Sequence, residues 1–367
     1  MWLWSVFVVA IAGAAAFFYG NRESLSRLWL GGSRSEAGSQ SDVPVINVTH
    51  LRSRDPLARD EVVAKLAVAA STFGVVRLVD HGIDVAGSRS RAWEFFKLPT
   101  DRKNCSSCSL RDPSIGFQRG YIPFASESGL SSVKEVKEGF CYGYEWPSDR
   151  ESKHPFQAAN VWPEKETLAS LSANWQAGMM DFFEETVKLS VTAVEALAEA
   201  LGERGRNLPS LCKGGDTISQ MRMFHYLPPD SSCGKQCMGS SPHTDWHFVT
   251  IISRDDASVL EYYDVNNGQW KMVHSEPGEL LMLVGDWLSA YSGGVYHAPA
   301  HRVLSPEKES SLSFVLFFYP SMEARLPEAA RAAAAWGEEV NSVEDSMYDL
   351  AWGEYALRKW TKVMSNR

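Results

Sequence analysis

No stretch of this 367-residue chain carries a run of lysine or arginine, and that absence removes one class of partner. Acidic residues outnumber basic ones, 45 to 36, for a formal charge of −9. A phosphate backbone needs a basic face, so no nucleic-acid partner is expected. Cysteine is scarce, with six residues irregularly placed. Cys105-Ser-Ser-Cys108 suits a zinc or redox site, but no second CxxC follows. Free thiols in a reducing compartment are the favoured reading, and a Cys233–Cys237 disulfide stays open should the chain enter a secretory lumen. Internal repeats are absent. What is present is ordinary for a globular protein: 44% hydrophobic and 11% aromatic residues, enough for a large core.

Long apolar runs are missing too, with one exception. Residues 2–19 are uncharged and apolar, just long enough to span a bilayer. Arg22 and Arg27 follow, which by the positive-inside rule leaves the bulk of the chain cytosolic. A signal peptide, with Ala12–Ala16 offering small residues for cleavage, and an organelle presequence are the alternatives. The expected layout is an anchor or signal over 1–20, a Gly/Ser/Arg-rich linker over 21–42, a helix-containing N-terminal region over 43–205, a β-rich core over 206–325 and a helical segment over 326–367.

Periodicity fills in this layout. Val62, Val63, Leu66 and Ala70 form a helical stripe within 60–72, followed by a strand over 74–79 and a helix over 89–96 that stops at Leu98-Pro99. A single long helix is expected over 164–201. Short strands follow over 219–226, 248–252, 259–263, 270–273, 280–284, 301–304 and 312–319, with Asn267-Gly268 as the clearest hairpin signal. This spacing indicates a sandwich or barrel. A last helix is expected over 327–359.

Chemistry concentrates in His243-Thr-Asp245-Trp-His247 and Tyr296-His-Ala-Pro-Ala-His301. Strand side chains at i and i+2 share a side, so His243 and Asp245 can both face a barrel interior. Two imidazoles and one carboxylate on one face of a metal leave positions open, an arrangement associated with non-heme Fe(II) enzymes. Alone, His-x-Asp is a pattern that chance supplies often.

The surrounding segments are more specific. Val43-Pro-Val-Ile, Phe73-Gly74-Val-Val-Arg-Leu-Val-Asp80-His81-Gly82-Ile83, Phe95-Phe96-Lys-Leu-Pro99, Gly120-Tyr121, Val136-Lys137-Glu138-Gly139-Phe140, Asn267-Gly268-Gln-Trp270, Pro277-Gly278, Val284-Gly285-Asp286, Gly294-Val-Tyr296 and His301-Arg302-Val303 occur in order. In them the chain resembles the isopenicillin N synthase-like branch of the 2-oxoglutarate- and Fe(II)-dependent dioxygenases. The resemblance implies an α+β, β-rich fold with a double-stranded β-helix (jelly-roll) core, and His243, Asp245 and His301 as iron ligands. It also implies 2-oxoglutarate and O2 as cosubstrates, and hydroxylation, desaturation or ring closure of a small molecule of secondary metabolism. A monomer is expected. His247 and His297 match no ligand position, His81 reads as structural, and His50, His154 and His274 read as surface or loop residues.

Two departures from the family pattern stand out. Where the family has Arg-x-Ser, the arginine gripping a carboxylate of 2-oxoglutarate, this chain has Ser311-Leu312-Ser313. The family's Asn-x-Tyr aligns with His225-Tyr226-Leu227, so Leu227 takes the tyrosine position with Tyr226 beside it. Ser313 and Tyr226 remain as candidate contacts to the cosubstrate. Arg254, Lys271 or Arg222 could replace the arginine; each also reads as a solvated or ion-paired charge. Alternatively, iron and oxygen act without 2-oxoglutarate, or the site has altered chemistry. A membrane-tethered, non-catalytic metal protein and a metal hydrolase are the rival classes; retention of all three ligands argues against decay.

Overall fold

Residues 43–330 and 347–365 are described by a computed structural model, apart from 106, 112–116, 131, 153, 213–217, 230–232, 234–236, 256 and 258. The expected anchor over 1–20 and linker over 21–42 lie outside the described residues, among which no helix is long and apolar enough to cross a membrane.

Strand β1 (Val45–Asn47) pairs in parallel with β2 (Val75–Val79) across helix α1 (Pro56–Thr72). Asp55 caps α1 by accepting from the Leu57 N–H, and Pro56 takes the first helical position, where a missing N–H is no loss. These two signals start the helix six residues before the apolar stripe of Val62, Val63, Leu66 and Ala70, all buried. Helix α2 (Val85–Phe96) ends just before Leu98-Pro99, as expected.

Four strands then appear where none was expected: β3 (Ser109–Arg111), β4 (Gln118–Ile122), β5 (Lys134–Glu135) and β6 (Lys137–Gly143). β6 is buried at every position, and a strand covered on both faces shows no apolar–polar alternation to read. The long helix expected over 164–201 is broken. A single turn at Lys165–Leu168 is followed by irregular chain, and α3 (Trp175–Ala200) begins after Asn174, whose φ is +62°. Short polar side chains cause the break: the Ser170 hydroxyl donates to the Thr167 carbonyl, and Ser172 N–H goes to Glu94.

The remaining strands are β7 (Gln220–Tyr226), β8 (Cys237–Met238), β9 (Ser240–His243), β10 (Val249–Arg254), β11 (Val259–Asp264), β12 (Gln269–Met272) and β13 (Leu280–Val284). After helix α4 (Asp286–Tyr291) come β14 (His301–Leu304), β15 (Ser311–Phe318) and the terminal helix α5 (Trp352–Ser365). A nine-stranded sheet, β1-β2-β13-β10-β15-β7-β6-β4-β3, faces a four-stranded sheet, β12-β11-β14-β9. This is the expected jelly roll, with the N-terminal strands extending one of its sheets.

Each sheet face has its own core. Met221, Met223, Phe314 and Leu316 point outward into the core built on α3, where Phe182 meets Phe314 at 4.9 Å between ring centroids. Phe224, Tyr226, Ile252, Leu283 and Val315 point inward and meet Leu260 and Tyr262 of the smaller sheet. The last helix corrects the expectation over 327–359. Residues 347–351 are not helical and 331–346 lie outside the described residues. The N–H groups of Trp352 and Gly353 go to the carbonyls of Ala324 and Met322 instead of a preceding turn.

The free-thiol reading holds for Cys141 and Cys212, both buried, and fails for the other four. Cys105–Cys108 and Cys233–Cys237 are disulfides. The Cys-Ser-Ser-Cys turn brings its two Cα atoms to 4.9 Å, within disulfide reach.

Candidate functional site

His243 ends β9 and His301 begins β14, and the antiparallel register of those strands makes the two residues direct partners. Their imidazole centroids lie 4.3 Å apart. Asp245 completes the group, with Oδ1 3.7 Å from His243 Nε2 and Oδ2 3.6 Å from His301 Nε2. One ligand atom from each of the three residues falls within 4.8 Å of the others.

Strand parity is not what aims Asp245, contrary to expectation, because β9 stops at His243. Asp245 sits in the following turn, and two contacts hold it. Its carbonyl accepts from the Asp286 N–H at 2.7 Å, and its carboxylate accepts from the Thr250 hydroxyl of β10. Gly285 permits the first contact, since a Cβ there would come within 2.0 Å of the His247 carbonyl oxygen.

Both histidines are oriented alike. His243 Nδ1 lies 2.7 Å from the Ser241 carbonyl and His301 Nδ1 lies 3.1 Å from the Pro299 carbonyl. A carbonyl can only accept, so Nδ1 carries the proton and Nε2 presents its lone pair to the centre. The segment leading to His301 is itself clamped. His297 N–H donates to the Ala70 carbonyl at 3.0 Å, and Gly74, at φ +67°, lies so close that a Cβ would come within 2.1 Å of the His297 oxygen.

The electrostatics suit a cation. Burial pushes the Asp245 pKa up, but His301, His247, His243 and the Thr250 hydroxyl outweigh it, and the net shift is downward. Burial first, then neighbouring His243, lowers His301 to about 4, against the raising effect of Asp245. His301 is thus held neutral beside the Asp245 carboxylate, and with His243 they make up the two-imidazole, one-carboxylate donor set expected for non-heme Fe(II). The His243 side chain is 38% exposed and the other two 5%, so small molecules reach the centre from the His243 side.

His247 is buried against the rings of Phe317 and Tyr319, and burial lowers it to about 4. His81 is structural: it accepts from the Ile83 N–H and donates to the Gly278 carbonyl. His50 and His274 are exposed. His154 lies in a loop, one of its two expected settings, but is only 6% exposed and accepts from the Phe156 N–H.

At the other end of the cavity the two departures look different in space. Tyr226 partners Ser311 across β7–β15, and the Ser313 hydroxyl lies 3.3 Å from the Tyr226 hydroxyl. Tyr226 is therefore the tyrosine that this strand turns towards the interior. Leu227 has left the strand, and its N–H goes to Val136. Ser311 is fully buried, and its hydroxyl has no hydrogen-bond partner among the described residues.

Of the three basic candidates, Lys271 pairs with Asp264 at 2.7 Å and Arg222 with Glu127 at 2.9 Å. The Arg254 guanidinium donates to the carbonyls of Asp255 and Val273. A fourth cation escaped the sequence reading. Lys137 is Tyr226's partner on the other side, across β6–β7, and its Nζ lies 4.6 Å from the centroid of the inward-facing Phe224 ring. Its signal lay in the segment Val136-Lys137-Glu138-Gly139-Phe140, where nothing local distinguishes it from a surface lysine.

Comparison with known proteins agrees with this geometry. Residues 43–165 match the family described as non-haem dioxygenase in morphine synthesis N-terminal, and residues 218–320 match the 2OG-Fe(II) oxygenase superfamily. The 2-oxoglutarate-dependent dioxygenase citB of Monascus ruber is 30% identical over 86% of this chain and 96% of its own. Gibberellin 20 oxidase 2 of Oryza sativa subsp. japonica is 29% identical over 79% and 70% respectively. Among solved structures, a full-length Neurospora crassa protein in complex with alpha-KG matches with a TM-score of 0.70 at 20% identity, over 89% of this chain and 99% of that one.

Proposed function

The chain belongs to the 2OG-Fe(II) oxygenase superfamily and is an Fe(II)- and 2-oxoglutarate-dependent oxygenase of small molecules; on that premise we propose that His243, Asp245 and His301 are its iron ligands. The observation that carries this reading is the convergence of three ligand atoms within 4.8 Å, with both imidazoles tethered through Nδ1. When bound, iron would bring O2 and 2-oxoglutarate together: O2 is the four-electron oxidant, 2-oxoglutarate gives two electrons and leaves as succinate and carbon dioxide, and the substrate gives the other two. The protein's own part is positional. Ser241 and Pro299 fix the imidazoles, Thr250 fixes the Asp245 carboxylate, and Asp286 fixes the Asp245 backbone. The apolar interior around Phe224, Ile252 and Leu260 keeps water from the reacting atoms.

The proposed substrate is a small organic natural product with a flat apolar body and an oxygen acceptor. Trp246, next to Asp245, meets Trp360 of α5 at 5.7 Å between centroids. The Arg222 guanidinium lies 5.1 Å from the Trp360 ring, and its Nε and Nη2 have no partner among the described residues. Arg222 stands beside Tyr319, whose hydroxyl is within electrostatic reach of both Arg222 and Asp245. The similarity to gibberellin 20 oxidase supports an organic substrate of this size. All three ligands come from one chain, which supports action as a monomer.

The uncharged run over 2–19, with Arg22 and Arg27 after it, supports a proposed membrane anchor with the catalytic domain on the cytosolic side, or else organelle targeting. Fractionating the full chain against a version lacking residues 1–42 tests this; equal partition of both into the soluble fraction removes the anchor.

The function itself is tested on anaerobic, Fe(II)-loaded protein. Titration with 2-oxoglutarate should give a weak visible charge-transfer band, and admission of oxygen should give succinate. Iron binding without band or succinate sinks the cosubstrate; unchanged iron binding in His243→Ala sinks the ligand set.

A further inference from the structure

We propose that Lys137, reaching in from the neighbouring strand β6, is the cation that receives the distal carboxylate of 2-oxoglutarate in place of an arginine on β15. Tyr226, Ser311 and Ser313 complete the cradle. The proposal rests on the cosubstrate reading above and assigns it a residue.

Lys137, Tyr226 and Ser311 are successive partners on three adjacent strands, so their side chains stand in one row on one face. Tyr226 belongs to the interior cluster, which makes that face the cavity side. Lys137 is 8% exposed, and its Nζ reaches Glu135 at 2.6 Å. Burial disfavours its charge, but Glu135 outweighs that and its pKa is raised, so the ammonium stays charged. An ammonium has three N–H donors. Glu135 takes one, and Glu135 is itself engaged by Gly129 N–H and by the N–H and hydroxyl of Ser241. The fully buried Ser311 hydroxyl, without a partner among the described residues, is the group such a carboxylate would satisfy. Arg254, which partners Ser313, is the competing cation, but its guanidinium donates to the backbone carbonyls of Asp255 and Val273.

The test is affinity, read from the charge-transfer band of the anaerobic Fe(II)-loaded protein. 2-Oxoglutarate is compared with 2-oxobutanoate, which has the same metal-binding end and no distal carboxylate. Lys137→Met should weaken 2-oxoglutarate by roughly tenfold or more and leave 2-oxobutanoate unchanged. Ser311→Arg in that background should restore the preference for 2-oxoglutarate. Should Lys137→Met fail to fold with Glu135 unpaired, Glu135→Gln/Lys137→Met removes both charges and should show the same selective loss. Tight wild-type binding that survives in the Lys137 variants, or a selective loss confined to Arg254→Leu, overturns the proposal alone. A wild type that binds no 2-oxoglutarate overturns the cosubstrate reading as well.

Discussion

The two ends of the cavity solve different problems. At the iron end, each of the three proposed ligands is fixed by a hydrogen bond to nearby chain: Ser241, Pro299 or Thr250. At the cosubstrate end, the arginine on β15 is gone, while a buried ammonium faces the same interior from two strands away. A metal ion demands donors at fixed distances and angles, so its ligands cannot migrate along the fold without losing it. A carboxylate on a flexible chain can be met from several directions, so the charge can come from another strand.

This contrast can be broken most sharply at the iron end. Asp245→Ala should lower metal affinity by more than about a hundredfold, since loss of outer hydrogen-bond partners alone costs ten- to a hundredfold; iron content after dialysis measures it. Next in size is Gly74→Ala. It should destabilise the fold by about 3 kcal/mol, from left-handed strain plus overlap with the His297 carbonyl, read by urea unfolding. It should also weaken iron binding, because the 297–301 segment shifts with it.

At the cosubstrate end the corresponding effect is on acid stability. Burial raises the Glu135 pKa, but Lys137 and Ser241 more than reverse it, to about 2 from an ordinary 4.5. The folded pKa is depressed, so the unfolded chain binds the extra proton and stability rises with pH across this window. The contribution, about 3 kcal/mol, is fully present above about pH 4.5 and fades as pH falls towards 2. Glu135→Gln should lower stability at pH 7 and flatten the acid limb of the unfolding free energy between pH 5 and 3. Smallest of all, Lys65→Ala on α1 removes an exposed pair with Glu61. It should leave the melting temperature and both affinities unchanged, since exposed pairs contribute little.

The clustering of His243, Asp245 and His301 was legible because the ordered segments around a commonplace His-x-Asp are specific, even though the assumed strand parity of Asp245 was not its real support. The core strands were legible from their turns. Strands β4 and β6 were not, because they are covered on both faces. Nothing local in His225-Tyr226-Leu227 says which side chain faces the interior; the register of β7 against β15 does, with Tyr226 paired to Ser311 and Leu227 past the end of the strand. Lys137 could not be read at all. Its meaning depends on three strands lying side by side, and two of them are separated from it by long stretches of chain.

Because β2 and β6 are hydrogen-bonded into the sheet that carries Thr250 and Ser313, and because Ala70 and Gly74 grip the approach to His301, the catalytic portion cannot be lifted out as a cassette. A shuffled gene keeping only residues 206–325 would carry every proposed iron ligand and still lack Ala70 and Gly74, which clamp the approach to His301. Any transplant of this activity into another chain therefore has to begin no later than Val43.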